Sequence, residues 1–410
     1  METTGESPSA APDRSSWGRL HVLDWIAIGL FAGGVACVLT GLLPRADAEA
    51  TVRRILPILI FLGAVVVLAE LTAVAGVFDA LAARMAITAR GDFGALFWLC
   101  VGFASVTTIA LNLDTTAVLL TPVMIALARR LGVPPVPLAM TTVWLANTAS
   151  LLLPVSNLTN ILASDRIGLA PLPWAARMWW PQLVAIAITM LLLWWWYWRP
   201  ARAAADPFVP PPPHVPSDPV LHRTALVACL LFVTGILAEV EIGIAAGVAA
   251  AILVAGFAVR ARGSLRLQLV PWRLLVFVTG LFLVVQTIGR HGLDTVMGAL
   301  IGNDPGAEGA LRAGAVGALF ANVVNNLPAY VAGEAVIAVN HHTQLLALLV
   351  GTNVGPLATP WASLATLIWY ERCRAAGVAV PLGRFVATSA VLAALATTAS
   401  VAALLVTPSG

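Results

Sequence analysis

Lysine is absent: all 23 basic residues of this 410-residue chain are arginine. Acidic residues number only 20, and charged side chains make up 10% of the chain, against roughly 25% in a soluble protein. That scarcity excludes a water-facing globular surface, and a net charge of +3 offers no basic field for nucleic acid, so no nucleic-acid partner is expected. The four cysteines, Cys37, Cys100, Cys229 and Cys373, lie far apart with no CxxC pair, which excludes a readable disulfide, zinc or iron–sulfur framework. Each is read as a small apolar side chain. The six histidines fall in loops or at segment ends, and no Ser/His pair or metal-ligand cluster lies at depth. An enzyme is therefore not expected, and no cofactor or metal is called for. Residues 1–20 lack the basic start and small-residue cleavage site of a secretory signal and read as a disordered tail.

What the chain has in abundance is apolar sequence, 60% of its residues with a mean hydropathy of +0.91. At roughly 20 apolar residues per crossing there is room for about ten membrane segments. Apolar runs predict helices at about 22–43, 55–76, 93–111, 116–128, 137–162, 178–198, 224–238, 241–259, 271–289, 311–325, 328–340, 343–370 and 384–407. The segment 77–89 could lie along the interface or cross in part. Run 116–128, closed by Arg129 and Arg130, reaches only about 20 Å of a roughly 30 Å core, so it has to start at depth. Residues 112–116 then form the tip of a re-entrant hairpin, and runs 311–325 and 328–340 form a second. Backbone that is not helical at such depth needs protein or a wet cavity around it, so each tip is expected to line a site.

The proline-rich stretch 199–223 reads as an extended linker between a first repeat, 21–198, and a second, 224–407. Sixteen of the 23 arginines fall on one side if the tail, the linker and segments 84–92, 129–135, 260–273 and 371–384 are cytoplasmic. The positive-inside rule then gives a multi-pass protein of the inner (plasma) membrane with the N-terminus inside, the C-terminus outside, nine crossings and two hairpins opening to opposite faces.

The halves resemble each other in three places. GAVVVLAELTAVAGVFD from Gly63 matches GLFLVVQTIGRHGLD from Gly280. ANTASLLLPVSN from Ala146 matches TNVGPLATPWAS from Thr352, placing Asn147 on Asn353, Pro154 on Pro360 and Asn157 on Ser363. NLDTTA from Asn112 matches VNNLPA from Val324, placing Asp114 on Asn326. With the hairpins opening oppositely these are inverted repeats, an architecture that puts a binding site at the midplane between broken helices. Pro154 and Pro360, deep in apolar runs, break them. The expected fold is an all-α polytopic membrane protein of two inverted repeats, each with a re-entrant hairpin and a broken transmembrane helix. The expected substrate site comprises Asn112, Asp114, Thr115, Thr116, Asn147, Ser156, Asn157, Asn325, Asn326, Asn353, Thr359 and Ser363. It is rich in amides and hydroxyls and is expected to hold no arginine. Intramembrane carboxylates are functional candidates by default, which singles out Asp114 first and Glu70 and Glu334 after it as ion-coupling residues. The tryptophans Trp179, Trp180, Trp194, Trp195, Trp196 and Trp198 read as an aromatic belt.

LNLDTTAVLLTPV from Leu111, NNLPA from Asn325 and above all GTNVGPLATPWASLATLIW from Gly351 resemble the arsenical efflux permease family of the ion transporter superfamily, over about residues 54–405. The resemblance implies an elevator-type transporter whose hairpin tips bind arsenite or antimonite as a small neutral trihydroxide. It implies export driven by a coupling proton or an associated cytoplasmic ATPase subunit, with Asp114 at the family's hairpin-tip aspartate. Against that pattern Leu113 stands where a second polar residue is expected, Ala362 replaces a usual glycine in the second broken helix, and one N-terminal helix is missing. The function expected is proton-coupled antiport of metalloid hydroxides. The alternatives are a sodium- or proton-coupled carboxylate or cation carrier of the same superfamily, and a non-transporting membrane scaffold or receptor.

Overall fold

In the computed structural model, residues 22–204, 208–209, 212–213, 215–238 and 240–407 are described. The expected tail 1–20 and part of the expected linker lie outside them.

The first repeat begins with α1 (Val22–Leu39) and the long α2 (Arg45–Val74), which starts well before the predicted 55 because a polar first stretch, Arg45 to Arg54, precedes its apolar run. Gly76, at φ +74°, turns the chain into α3 (Val77–Ala89), a separate helix over the ambiguous segment. Asp92 then caps α4 (Phe93–Ala110) by accepting from the Gly94 and Ala95 amides, and those two bonds hold its carboxyl below the usual aspartate range. The chain reverses at Asn112 and returns as α5 (Leu113–Thr115), a π-helical turn (Thr116–Leu120) and α6 (Thr121–Arg130). The run 137–162 is two helices, α7 (Pro135–Thr148) and α8 (Leu158–Ile167), parted by an irregular stretch around Pro154. Helix α9 (Pro171–Leu193) continues through a π-turn (Trp194–Trp198) into α10 (Arg199–Ala204).

The second repeat opens with α11 (Pro219–Leu237), capped by Asp218, and α12 (Ile242–Arg260), capped by Glu241. Both ends of the stretch 199–223 are thus helical, and at the second end Pro219 sits in the first turn of α11, where a proline removes no helix hydrogen bond. Helix α13 (Trp272–Ile288) passes a π-turn with Gly292 at φ +118° into α14 (Asp294–Ile301). The second hairpin is α15 (Ala307–Val324) and α16 (Asn326–Val336), the second broken helix α17 (His342–Val354) and α18 (Leu364–Ala375), and the last helix α19 (Leu382–Val406). Helix α1 lies on α13 and α12 on α2, so the opening helices of the repeats exchange partners, and α11 has no counterpart in the first repeat among the described residues. Seven helices among the described residues are long and apolar enough to cross a membrane. The protein is an all-α polytopic membrane protein of two inverted repeats.

Contacts at the helix ends sort into two faces. On one, Arg129 at the open end of the first hairpin donates to the Ala376 carbonyl, Arg260 pairs with Asp218 at 2.7 Å, and Arg384 donates to the Trp196 carbonyl at 2.7 Å. On the other, Arg166 reaches the Glu334 and Ile337 carbonyls at the open end of the second hairpin, each at 3.4 Å, and Gln344 donates to the Gly302 carbonyl at 2.9 Å. The hairpins therefore open to opposite faces. Two crossings bring backbones into contact: a Cβ on Gly351 would fall 2.1 Å from the Gly314 carbonyl oxygen, locking α17 to α15, and one on Gly280 would fall 2.3 Å from the Phe31 nitrogen, locking α13 to α1. The belt reading holds for Trp179, Trp180 and Trp195, which are exposed. Trp198 is buried and donates to the Thr141 hydroxyl at 2.9 Å, because the π-turn swings it inward.

Candidate substrate site

A cavity of about 500 Å³ lies between the hairpin tips and the helices α1, α2 and α13. One face of each surrounding helix supplies its wall: Val66, Ala69 and Glu70 from α2, Phe277 and Leu281 from α13, and Leu364, Ile368 and Arg372, four residues apart, from α18. Its polar floor is Asp114 and Thr115 of the first tip and Asn325 of the second, with Trp361 at the rim. Its mouth is on the face of the first hairpin's open end, beside the exposed Gln268, Arg273 and Arg372. The expectation of a site without arginine is corrected here: Arg273 and Arg372 line the mouth. Both arginines fall at loop ends in the sequence, and only the tertiary arrangement of α13 and α18 around the cavity brings them to one space.

Both tips are built alike. Asn112 (φ 148°, ψ 172°) and Asn325 (φ 96°, ψ 154°) hold a backbone conformation that is nearly confined to glycine. Each then caps the returning helix, Asn112 by accepting from the Thr115 amide at 2.8 Å and Asn325 from the Leu327 amide at 3.4 Å. By backbone the tips pair Asn112 with Asn325, one residue away from the register that sets Asp114 on Asn326. In this register Asp114 corresponds to Leu327, so the acidic tip is a property of one repeat only. Asp114 is 8% exposed and faces the cavity, with no hydrogen bond or ion pair from another described residue. The Thr115 hydroxyl is buried beside it without a partner.

The remaining expected site residues build the frame. Asn157 and Ser363 are equivalent caps of α8 and α18, accepting from the Thr159 and Thr366 amides. Asn353 donates to Asn160 Oδ1 at 2.6 Å and accepts from the Thr159 hydroxyl at 2.6 Å, while Asn147 donates to the Thr366 hydroxyl at 3.4 Å. Each first half-helix is therefore tied to the second half-helix of the other repeat. Thr116 bonds within the first tip, Ser156 donates to the Ile109 carbonyl at 2.9 Å, and the Asn326 amide donates to the Ala362 carbonyl at 2.8 Å. Thr359 donates to the Asn322 carbonyl. Two buried amide atoms, Asn147 Oδ1 and Asn157 Nδ2, remain without partners in this frame. Glu334 is not in the cavity: it is buried on the opposite face between Arg54 and Arg166.

Asn322 was not singled out by sequence. Its side chain accepts from the Ala358 and Thr359 amides at 3.0 and 3.1 Å and donates to the Gly355 and Ala318 carbonyls at 2.8 Å each, fixing the second break against α15. The signal was its place three residues before Asn325, one helical turn from the tip, facing Pro360.

Residues 20–366 match the family model for citrate transporters. The chain belongs to the citrate transporter family. Its curated relatives include arsenical pump membrane proteins of Escherichia coli K12, 27% identical with 88% of each chain covered, and of Yersinia enterocolitica, 28% identical with 80% of this chain and 81% of that one covered. The likeness to arsenical efflux permeases read from the motifs is borne out by these relatives. The fold is that of the Alcanivorax borkumensis YdaH transporter, whose crystal structure is described as having an unusual topology. It matches at a TM-score of 0.57 and 15% identity, with 94% of this chain and 97% of that one covered. The chain is a multi-pass membrane transporter.

Proposed function

We propose that this transporter exports arsenite- and antimonite-like trihydroxides from the cytoplasm across the plasma membrane in exchange for protons. The observation that carries the reading is Asp114, a carboxylate at membrane depth, facing the cavity and unpaired by any described residue. Such a group is expensive in either protonation state unless it exchanges a proton or a ligand. Beside it Thr115 and Asn325 offer neutral hydroxyl and amide groups suited to a polyhydroxy solute. In the orientation favoured by the arginine distribution, the cavity mouth faces the cytoplasm, the side from which an exported solute loads. The N-terminus and linker are then cytoplasmic and the C-terminus outside. Cargo and proton compete for the floor, and the tips with the broken helices carry it across as one body in an elevator-like movement against α1, α2 and α11 to α13.

One observation favours a second reading, a carboxylate carrier coupled to protons or sodium. Arg273 and Arg372 at the mouth, together with the name of the family, suit an anionic substrate. Proton flux in proteoliposomes separates the two. Arsenite-driven proton movement without sodium, reduced at least tenfold in Asp114→Asn, is the expected result. Citrate flux with no arsenite response would overturn the substrate assignment, and proton-coupled arsenite flux that persists in Asp114→Asn would overturn the role of that residue. Flux by the chain alone sets it apart from an arrangement that needs an ATPase subunit.

A further inference from the structure

The cavity opens on one face, and the opposite face carries a different cluster. Arg54 on α2 and Glu70, which lines the cavity, are separated by about 24 Å along the helix axis at 1.5 Å per residue. At its end of α2, Arg54 donates to Glu334 on α16, and Arg166 on α8 lies 3.8 Å from the same carboxylate oxygen. The Glu334 side chain is 2% exposed and that of Arg54 38%. The three residues belong to two different packed groups. Helix α2 rests mainly on α12, α13 and α11, whereas α16 rests mainly on α15, α14 and α17, with a smaller contact to α13, and α8 rests on α17 and α16. Arg166 therefore travels with Glu334, to whose carbonyl it also donates, and Arg54 does not. Any displacement of the hairpins against α2 large enough to admit water on this face separates Arg54 from Glu334 and leaves the Arg166 contact whole.

The cluster is also only partly satisfied. Glu334 Oε2, Arg166 Nε and the neighbouring Tyr330 hydroxyl are buried without hydrogen bonds. A buried ion pair with every lone pair met is costly to break, and one with atoms left unmet has less to lose when water enters. The retained Arg166 keeps Glu334 from becoming an isolated buried charge in the open state. These are the properties of a contact that is made and released.

We propose that the Arg54–Glu334 pair, backed by Arg166, is the latch that closes the face opposite the cavity mouth and opens once in each transport cycle. The inference rests on the reading of the chain as an alternating-access exporter and assigns Glu334 to the gate and not to the cargo.

The test places one reporter cysteine, Val118→Cys, on the cavity wall of a full chain whose Cys37, Cys100, Cys229 and Cys373 are replaced by serine. Membrane-impermeant thiol reagent is then applied to oriented vesicles from either face. With the latch intact, labelling comes from the mouth face. Arg54→Gln, which leaves Glu334 its Arg166 partner and so preserves folding, is expected to raise labelling from the opposite face about tenfold, a shift of roughly 1.4 kcal/mol in the balance of states. Arg54→Lys keeps the charge and the original sidedness. In a second variant, Arg54→Cys with Glu334→Cys, a cleavable bifunctional thiol reagent is expected to stop solute flux, and its cleavage to restore it. Unchanged sidedness in Arg54→Gln, or flux that continues through the cross-link, overturns the latch. Labelling that changes face with no arsenite or citrate carried leaves the latch standing and removes the exporter reading. Arsenite flux with the label fixed on the mouth face does the reverse.

Discussion

Replacing Asn112 by glycine and by alanine separates two effects that the wild-type side chain combines. At φ 148° and ψ 172° the backbone of Asn112 is in a region that costs a residue with a Cβ about 1–3 kcal/mol. The side chain offsets part of that by accepting the Thr115 amide at 2.8 Å. Asn112→Gly removes the strain, forfeits a few tenths of a kcal/mol of capping and costs roughly 0.5–1 kcal/mol in chain entropy, so it is expected to fall between neutral and about 1.5 kcal/mol more stable. Asn112→Ala keeps the strain and loses about 1 kcal/mol of capping. The glycine variant should thus exceed the alanine variant by about 2 kcal/mol, the strain relief plus the difference in capping less the entropy cost of glycine. Equilibrium unfolding in mixed micelles, followed by tryptophan fluorescence at fixed detergent composition, reads that difference directly. The same order is expected at Asn325, where φ is 96°. Equal stability of the two variants at both positions would refute the argument, because it would mean that neither tip holds a positive φ in the folded protein.

Asn322→Ala removes a side chain that makes four hydrogen bonds to the second break and α15, leaving the Ala358 and Thr359 amides unmet, with an expected loss of about 2–4 kcal/mol in the same unfolding assay. A loss below about 0.5 kcal/mol would mean that water replaces the amide and that the break is open to solvent. Asp218 outside the membrane gives the pH dependence: its bond to Arg260 comes first among the causes holding its carboxyl below the ordinary value of 3.8, followed by the Leu221 and Val220 amides. Its stabilising contribution is therefore complete above that ordinary value and is lost as pH falls through the lower folded value. Asp218→Asn should narrow the stability gap between neutral and acid pH, and an unchanged gap would remove this carboxylate from the account.

The hairpins and broken helices were legible because membrane thickness turns run length into a depth, and Pro154 and Pro360 mark the breaks. The pairing of Asn157 with Ser363 was legible for the same reason, as both are caps placed just after those prolines. The tip register was not, because matching residue identities aligns Asp114 with Asn326, whereas the chain is governed by where φ turns positive, at Asn112 and Asn325. Arg273 and Arg372 fall in predicted loops, whereas the structure places Arg273 in the first turn of α13 and Arg372 in the last turn of α18. That they line one cavity with Asp114 is a tertiary fact without a local signature. Glu334 was rated by its depth alone, and its partners Arg54 and Arg166 lie far away in sequence.

The exchange of partners between repeats bears on which parts can move. Asn353 is bonded to Thr159 and Asn160 at the start of α8, and Asn147 to Thr366 at the start of α18, so neither broken helix can shift along its axis without breaking buried amide bonds to the other. The tips are tied to the same unit, the first through Ser156 and the second through Ala362, Trp361 and Asn322. Close backbone contact at Gly314 and Gly351 adds α15 and α17. On the other side of the cavity, α1 and α13 are joined at Gly280 just as closely. The wall between these two units holds mostly apolar side chains of the cavity, which slide past one another without losing directional bonds of their own. At the opposite end, an ion pair does cross it, from Arg54 to Glu334. If the cavity floor is to face the other side of the membrane, that pair has to yield.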